Sequence, residues 1–257
     1  FRARGAEVED GAFGENLVVQ GFDFSALPVG TRFRCNDVVL EMTQIGKECH
    51  SHCEIYKRVG DCIMPREGVF TRVLKGGEIK AGDEITMLPL EKDRPFTAAV
   101  ITLSDKGAAG EREDKSGPLI QEMLMKEGYD VIETLLLPDG EQTLKHQLMR
   151  LADQRQVNVI FTTGGTGFAE RDVTPEATQA VCDRMAMGIA DAIRQYSLSI
   201  TGRAMLSRAV SGIRKKTLIV NLPGSPKAVK ESLEYVLPQL GHGLGILRGT
   251  DGECGNS

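Results

Sequence analysis

A glycine-rich turn with three glycines and three threonines follows an apolar stretch in the second half of the sequence. Residues 157–161 predict a strand, and the pair Thr174-Pro175 predicts a helix start shortly after the turn. Glycine allows backbone N–H groups to approach a ligand closely, and a helix N-terminus favours negative charge. The turn therefore predicts a cradle for a phosphate-bearing ligand, with a purely structural turn as the alternative. Its candidate binding residues are Thr163, Gly164, Gly165, Thr166 and Gly167.

The turn lacks the Gly-Lys-Ser/Thr ending of a P-loop and the spacing of a dinucleotide-binding GxGxxG motif. Both absences argue against an ordinary P-loop ATPase and against an NAD enzyme.

Two aspartates occupy positions that suit a divalent metal. Asp172 lies between the glycine turn and the predicted helix, and Asp139 follows Pro138 at the end of a predicted strand. Magnesium prefers one or two carboxylates together with substrate phosphates, so the pair predicts a shared Mg²⁺. The alternatives are a helix-capping acid at Asp172 and an ordinary turn aspartate at Asp139.

The region from residue 98 onward alternates between strand-like and helix-like patterns. Continuous apolar runs at 98–103, 131–137, 157–161 and 217–222 predict buried strands, and the apolar periodicity between them predicts helices. Such alternation is typical of an α/β domain, with a mostly parallel sheet and helices on both faces. Because ligands bind beyond the carboxyl ends of such strands, four segments are expected to meet at one edge. They add the candidates Ser104, Asp105, Pro223, Gly224, Ser225 and Pro226.

The first 90 residues follow a different pattern. Short strand-like stretches at 16–19, 38–42, 68–74 and 84–88 alternate with glycine-containing turns, which predicts a small, closed or partly closed β-barrel. The abrupt start at Phe1 and the small number of strands favour a truncated barrel. A charged segment ending in Pro95 predicts a linker, so the expected domains are 1–90 and 98–257, joined by 91–97.

Cysteine and histidine cluster in the first domain. Three cysteines and two histidines lie within fourteen residues, which suggests either a zinc site or buried thiols. The Cys-x₃-Cys-x₈-Cys spacing is not a standard zinc pattern. The candidate residues are Cys49, His50, Cys53 and Cys62.

Overall composition excludes several classes of protein. A net charge of −5 argues against a nucleic-acid partner, since nucleic-acid-binding domains usually carry a basic patch. The sequence has no apolar run long enough for a transmembrane helix and no secretory signal pattern. A cytoplasmic enzyme without a membrane partner is therefore expected.

The second domain resembles the molybdopterin-binding family, which includes bacterial molybdopterin adenylyltransferases and the G domain of gephyrin. The resemblance lies in the glycine turn, in residues 171–176 and 222–227, and in Ser207-Arg208. It implies transfer of AMP from ATP to the phosphate of molybdopterin, with Asp139 and Asp172 binding Mg²⁺ and positioning ATP. It also implies that Ser104 and Asp105 contact the pterin or its phosphate. A homotrimer that supplies a molybdate-inserting enzyme is expected.

The first domain resembles the MOSC family, through residues 14–17, the Cys/His segment and residues 76–83. This resemblance implies binding of molybdenum cofactor, or carriage of sulfur on a cysteine. Cys49 is the candidate, with His50 near enough to favour its thiolate. The alternatives to a fused enzyme are a carrier or scaffold that binds molybdopterin without catalysis, and a zinc-stabilised regulatory module at the N-terminus.

Overall fold

A computed structural model describes residues 8–46 and 54–250. The chain divides into two compact units, Phe1–Glu91 and Lys92–Ser257.

The first unit contains a four-stranded antiparallel sheet. Its strands are β1 Arg32–Cys35, β2 Val38–Ile45, β3 Val69–Lys75 and β4 Thr86–Met87, in the order β3-β2-β1-β4. Short helices accompany them: a 3-10 helix Phe24–Ala26, α1 Glu54–Val59 and α2 Met64–Glu67. Strands β1 and β2 form a tight hairpin, in which Asn36 takes the positive φ of 52° that such turns require.

The core of this sheet is a small aromatic cluster. Phe33 and Met42 are buried, and the rings of Phe22 and Phe24 pack edge-on or tilted against Phe33 and each other. The buried carboxylate of Glu41 accepts hydrogen bonds from Arg32 at 2.7 Å and Arg72 at 2.9 Å, so its charge is compensated.

The first unit differs from the sequence-based prediction in three places. Residues 16–19 have no regular secondary structure, β1 was not predicted, and the predicted strand at 84–88 shortens to β4. Residues 16–19 were misassigned because their apolar residues Leu17 and Val18 are exposed rather than packed in a sheet. The described strands form an antiparallel sheet, and its closure into a barrel stays a prediction.

The second unit is an α/β domain with a six-stranded mixed sheet. The strands are β5 Thr97–Leu103, β6 Asp130–Leu137, β7 Val159–Thr163, β8 Arg184–Met185, β9 Ser211–Arg214 and β10 Thr217–Leu222. Their order is β6-β5-β7-β10-β9-β8. Strands β6, β5, β7 and β10 are parallel to one another, β9 pairs antiparallel with β10, and β8 pairs antiparallel with β9.

Helices cover both faces of this sheet. They are α3 Asp105–Ala108, α4 Ser116–Lys126, α5 Glu141–Met149, α6 Thr174–Val181, α7 Met187–Leu198 and α8 Pro226–Arg248. A π-helical turn Arg150–Gln154 extends α5, and a 3-10 helix Gly202–Leu206 follows α7. Buried residues of α4, α7 and α8 form one core with alternate strand residues, and those of α5 and α6 form the other. The predicted α/β architecture with a mostly parallel sheet is confirmed.

Some elements of this unit were not predicted, namely β8, β9, α3, α7 and the 3-10 helix Gly202–Leu206. Strand β7 begins at Val159, two residues later than the predicted start, because Val157 packs in the core just before the sheet. None of the helices in the described residues combines the length and apolar composition needed to cross a bilayer.

A fully buried asparagine joins the carboxyl ends of two central strands. The Nδ2 of Asn221 donates to the hydroxyls of Thr162 and Thr178 at 2.9 Å each, and its Oδ1 accepts from the N–H of Val210 at 3.2 Å. This network links β7, β10 and α6 directly behind the glycine turn.

Replacing Asn221 with alanine is expected to lower the free energy of unfolding of this unit by about 2–4 kcal/mol, because buried partners lose their hydrogen bonds. Urea unfolding followed by tyrosine fluorescence measures the change, since three of the four tyrosines lie within residues 92–257. The matched control is Thr102→Val. Among the described residues, the buried hydroxyl of Thr102 has no hydrogen-bond partner, so its removal is expected to leave stability unchanged or raise it by up to about 1 kcal/mol. Equal losses in the two variants would contradict the assigned role of Asn221.

Candidate active site at the carboxyl ends of the parallel strands

The loops that follow β5, β6, β7 and β10 meet around one cavity of about 850 Å³. Most of the residues proposed from sequence line it: Ser104, Asp105, Asp139, Thr163, Gly164, Gly165, Asp172, Gly224, Ser225 and Pro226. Three others, Thr166, Gly167 and Pro223, lie in the same loops but do not line the cavity. The two proposed metal ligands, Asp139 and Asp172, therefore face one common space.

The glycine turn is packed tightly against the end of β5. Gly164 has a φ of +94°, and a Cβ at this position would lie well inside van der Waals contact with the carbonyl oxygen of Leu103. Gly165 also has a positive φ, of +63°. The hydroxyl of Thr174, at the start of α6, donates to the carbonyl of Gly164 at 2.9 Å. Only glycine fits both the conformation and the space at position 164.

Threonine hydroxyls at the turn are used within the protein. Thr163 donates to the carbonyl of Pro223 at 2.6 Å, which ties the end of β7 to the loop after β10. Thr162 accepts from Asn221, as described above. Thr166 is buried. These threonine side chains therefore have structural roles, as the alternative of a purely structural turn predicted. The backbone N–H groups of the turn are the candidates for contact with a ligand.

Asp105 and Asp139 hold the ends of β5 and β6 together. The N–H of Asp139 donates to Oδ1 of Asp105 at 2.9 Å, and the N–H of Asp105 approaches Oδ2 of Asp139 at 3.4 Å. Asp139 is thus more than an isolated turn aspartate, because it is half of a reciprocal pair.

The environment of Asp139 opposes its negative charge. Burial raises the pKa of this carboxyl, whose side chain is only 10% exposed, and the charges of Asp105 and Asp172 raise the pKa further. The hydrogen bond from the Asp105 backbone and the cation of Arg171 act in the opposite direction. Arg171 lies 3.9 Å away and is 70% exposed, so it compensates the charge only weakly.

Asp172 is fixed by its own loop and does not cap helix α6. Its Oδ2 accepts from the N–H of Ala169 at 3.0 Å, and no side chain caps α6 at Val173. Gly167 lies directly against this carboxylate, because a Cβ there would come within 2.9 Å of Oδ2. The helix-capping alternative for Asp172 is therefore wrong.

The acids at this rim fit a magnesium ion. Their carboxylate oxygens are ligands that Mg²⁺ prefers, and a cation would favour the charged form of Asp139, whose pKa is raised by burial and by the charges of Asp105 and Asp172. In the described part of the chain, no group of three or more His, Cys, Asp or Glu side chains is arranged to hold a metal. A site of this kind leaves remaining ligand positions to water and substrate phosphates, as is usual for magnesium.

Several cavity residues were not identified from sequence. Arg112 donates to the hydroxyl of Ser104 at 2.9 Å, and the same hydroxyl accepts from the N–H of Gly107 at 3.1 Å. Asp114 caps the start of α4 by accepting from the N–H groups of Ser116 and Gly117, both at 3.0 Å. The pattern Asp114-x-Ser116 before an apolar run was a recognisable helix-start signal. Nothing in the sequence placed Arg112 against Ser104.

The last loop brings a long helix to the cavity. Ser225 caps α8 by accepting from the N–H of Ala228 at 3.3 Å, as the sequence predicted. Its neighbour Gly224 accepts from the buried hydroxyl of Ser116 at 3.0 Å, which joins the starts of α4 and α8. Two helix N-termini therefore lie at one side of the cavity, where they favour negative charge.

The Cys/His cluster of the first unit cannot be assembled from the described residues. Cys62 is buried, whereas Cys49, His50 and Cys53 lie outside the described residues. Whether they bind zinc stays a prediction.

The fold and the cavity define an α/β protein with a candidate site at the carboxyl ends of its parallel strands. Residues 99–242 match the family model described as "probable molybdopterin binding domain", and residues 2–86 match the MOSC domain model. The chain belongs to the molybdopterin-binding family, with a MOSC domain preceding the family domain.

Relatives of known name agree with this assignment. A molybdopterin adenylyltransferase of Haemophilus influenzae is 44% identical over 147 residues, covering 56% of this chain and 75% of the relative. The Escherichia coli protein of the same name is 43% identical over 140 residues, covering 53% and 71%. The crystal structure of the molybdopterin biosynthesis enzyme MoaB of Thermus thermophilus is 45% identical with a TM-score of 0.57, covering 60% of this chain and 97% of that one.

Replacing Gly164 with alanine is expected to displace the turn and lower the free energy of unfolding by about 1–3 kcal/mol, because a Cβ meets the Leu103 carbonyl at a positive φ. Gly241→Ala in α8 is the control, since no atom lies near a Cβ there and alanine favours a helix. Chemical denaturation compares the two variants. A Gly164→Ala protein as stable as Gly241→Ala would contradict the packing described here.

Proposed function

We propose that this chain transfers AMP from ATP to the terminal phosphate of molybdopterin, giving adenylyl-molybdopterin and pyrophosphate. One observation carries the proposal: in a member of the molybdopterin-binding family, Asp105, Asp139 and Asp172 line one cavity together with the glycine turn. The names of the Haemophilus and Escherichia relatives support the same reaction.

The proposed reaction joins two anionic substrates, which repel each other, so the cavity must position them and offset their charge. A phosphate oxygen of molybdopterin attacks the α-phosphorus of ATP, forming a new P–O bond while the bond to pyrophosphate breaks. Catalysis of such a transfer is mainly positioning and neutralisation of charge. The cavity is lined both by the N-termini of α4 and α8 and by Asp105, Asp139 and Asp172, so it offers donors for phosphates and carboxylates for a cation.

Asp139 and Asp172 are the proposed Mg²⁺ ligands. When bound, magnesium supplies positive charge that offsets the negative charge of the phosphates. Hydrogen bonds from neighbouring residues fix the orientation of both carboxylates. The reciprocal hydrogen bonds with Asp105 orient Asp139, and the N–H of Ala169 orients Asp172.

The glycine turn and the start of α8 are the proposed place for the phosphates. Backbone N–H groups of the glycine turn and the N-terminus of α8 would bind phosphate oxygens. Ser104 accepts hydrogen bonds from Gly107 and Arg112, which leaves its own hydroxyl hydrogen to donate to a pterin or its phosphate. Thr166, Gly167 and Pro223 support the loops and do not line the cavity.

Replacing Asp172 with asparagine is expected to lower turnover at least a hundredfold and to leave the fold intact, because a preorganised charge in such a site is worth about 3–4 kcal/mol. Steady-state assays of adenylyl transfer measure the effect. Asp130→Asn is the matched control, since Asp130 is exposed at the opposite end of the strand that leads to Asp139. Wild-type turnover in the Asp172 variant would remove its proposed role.

The decisive assay incubates the protein with molybdopterin, Mg²⁺ and ATP labelled at the α-phosphate. Labelled adenylyl-pterin and free pyrophosphate are expected in equal amounts. The alternative, a carrier or scaffold, predicts bound molybdopterin without release of pyrophosphate. The acids at the rim favour the enzyme, because binding a pterin phosphate alone gives no use for crowded carboxylates.

For the first unit we propose binding of molybdenum cofactor or carriage of sulfur on Cys49, and the MOSC match over residues 2–86 supports this. Cys49→Ser is expected to abolish sulfur loading or to weaken cofactor binding at least tenfold, and to leave adenylyl transfer unchanged. Mass spectrometry of the persulfide and cofactor titration measure the two effects. Cys35→Ser is the control for nonspecific loss of the fold, because Cys35 is buried in β1 and is not a candidate site residue. Unchanged loading and binding in the Cys49 variant would refute the proposal.

Assembly and pathway partners complete the proposed function. A homotrimer is expected, and the exposed apolar side chains Leu198, Ile200, Met205 and Leu206 near the end of α7 offer a surface for association. Delivery of the adenylylated product to a molybdate-inserting enzyme and a cytoplasmic location stay predictions.

A further inference from the structure

One arginine outside the main cavity binds both ends of the loop that carries Asp172. Nε of Arg208 donates to the carbonyl of Gly167 at 2.7 Å, and its guanidinium also donates to the backbone carbonyl of Asp172. The N–H of Arg208 donates to the carbonyl of Thr166 at 3.0 Å. Residue 208 therefore closes the loop from Thr166 to Asp172 with three hydrogen bonds.

The guanidinium is itself held in place. Its remaining nitrogen pairs with the carboxylate of Glu176 on helix α6. A second arginine, Arg194 of α7, donates to the carbonyls on either side of residue 208: Ser207 at 3.1 Å and Ala209 at 2.8 Å. The two arginines thus connect α7 and α6 to the loop that presents Asp172.

Arg208 lies on the far side of the loop from the proposed substrates. It lines a second, more open cavity of about 430 Å³, whereas the main cavity does not include it. Asp172 is the residue that lines both. Arg208 can therefore affect the main cavity by fixing this aspartate rather than by contacting a ligand.

We propose that Arg208, supported by Arg194, is a positioning residue that sets the place of the Asp172 carboxylate in the main cavity. The inference rests on the proposed function, because it gives Arg208 an effect only through the role of Asp172. An arginine is needed here, since its planar group donates in several fixed directions at once, and a lysine cannot reproduce that fork.

A double-mutant cycle tests the proposal. Arg208→Lys is expected to lower kcat about tenfold to a hundredfold and to raise the Mg²⁺ concentration needed for half-maximal rate, because small displacements of an active-site group have large effects. The KM for molybdopterin is expected to stay within about twofold of the wild-type value. Added to Asp172→Asn, the same change should lower kcat less than about threefold, since the aspartate charge is already absent.

Hydrogen exchange provides a measurement that does not depend on activity. The N–H groups of Ala169 and Asp172 bond across the loop, to Oδ2 of Asp172 and to the carbonyl of Ala169. In Arg208→Lys, peptides that cover residues 168–173 are expected to exchange at least tenfold faster. Mg²⁺-dependent binding of ATP, measured by calorimetry, should weaken in parallel.

Arg214→Lys is the matched control. Arg214 also binds a carboxylate and a backbone carbonyl, Asp153 at 3.0 Å and Val181 at 2.8 Å, but both lie away from the loop. This variant should leave exchange over residues 168–173 and the Mg²⁺ dependence unchanged. If Arg208→Lys does not fold, Arg194→Lys tests the same support with the loop-binding guanidinium intact.

The outcomes separate the two claims. An equal loss from Arg208→Lys in both backgrounds, or unchanged exchange over residues 168–173, overturns the positioning role. Full activity of Asp172→Asn, or no adenylyl transfer by the wild-type protein, overturns the proposed function instead. In that case the exchange data still decide whether Arg208 orders the loop.

Discussion

The site depends on holding three carboxylates close together despite their mutual repulsion. Burial and the neighbouring charges of Asp105 and Asp172 raise the pKa of Asp139, and the nearest cation, Arg171, is too exposed to compensate. Such an arrangement persists only if rigid backbone imposes it. The reciprocal Asp105–Asp139 hydrogen bonds and the contact of Ala169 with Asp172 provide that rigidity. The proposed cation would offset this crowded negative charge.

The rigidity of the rim comes from buried polar contacts directly behind it. Asn221 links β7, β10 and α6, and Thr163 links β7 to the loop after β10. The Gly164 turn packs so closely against the Leu103 carbonyl that no side chain fits between the end of β5 and the turn after β7. Each loop is therefore fixed by a neighbouring strand as well as by its own sequence, and a change at one strand end is expected to affect the others.

The sequence predicted those parts of the fold that follow from local patterns. Continuous apolar runs located β5, β6, β7 and β10, and Ser225-Pro226 located the start of α8. Strands β8 and β9 were missed because Arg184–Met185 is too short and exposed, and Ser211–Arg214 mixes polar residues with glycine. Both owe their pairing to neighbours distant in sequence. The candidate site shows the same limit of local sequence patterns. Asp139 and Asp172 were proposed from their positions after predicted strands. Arg112 and Arg208 act through contacts that no local spacing reveals.

In the glycine turn, the threonine side chains and the backbone have different roles. Thr163 is one of the predicted binding residues, yet its hydroxyl donates to the Pro223 carbonyl, and the neighbouring hydroxyl of Thr162 accepts from Asn221. A hydroxyl committed to an internal bond fixes the backbone next to it. The N–H groups of the turn then keep a constant direction, and a preorganised donor stabilises developing charge without reorganising. In the proposed site the backbone of the turn would therefore recognise phosphate, and the glycine at position 164 gives that backbone its shape.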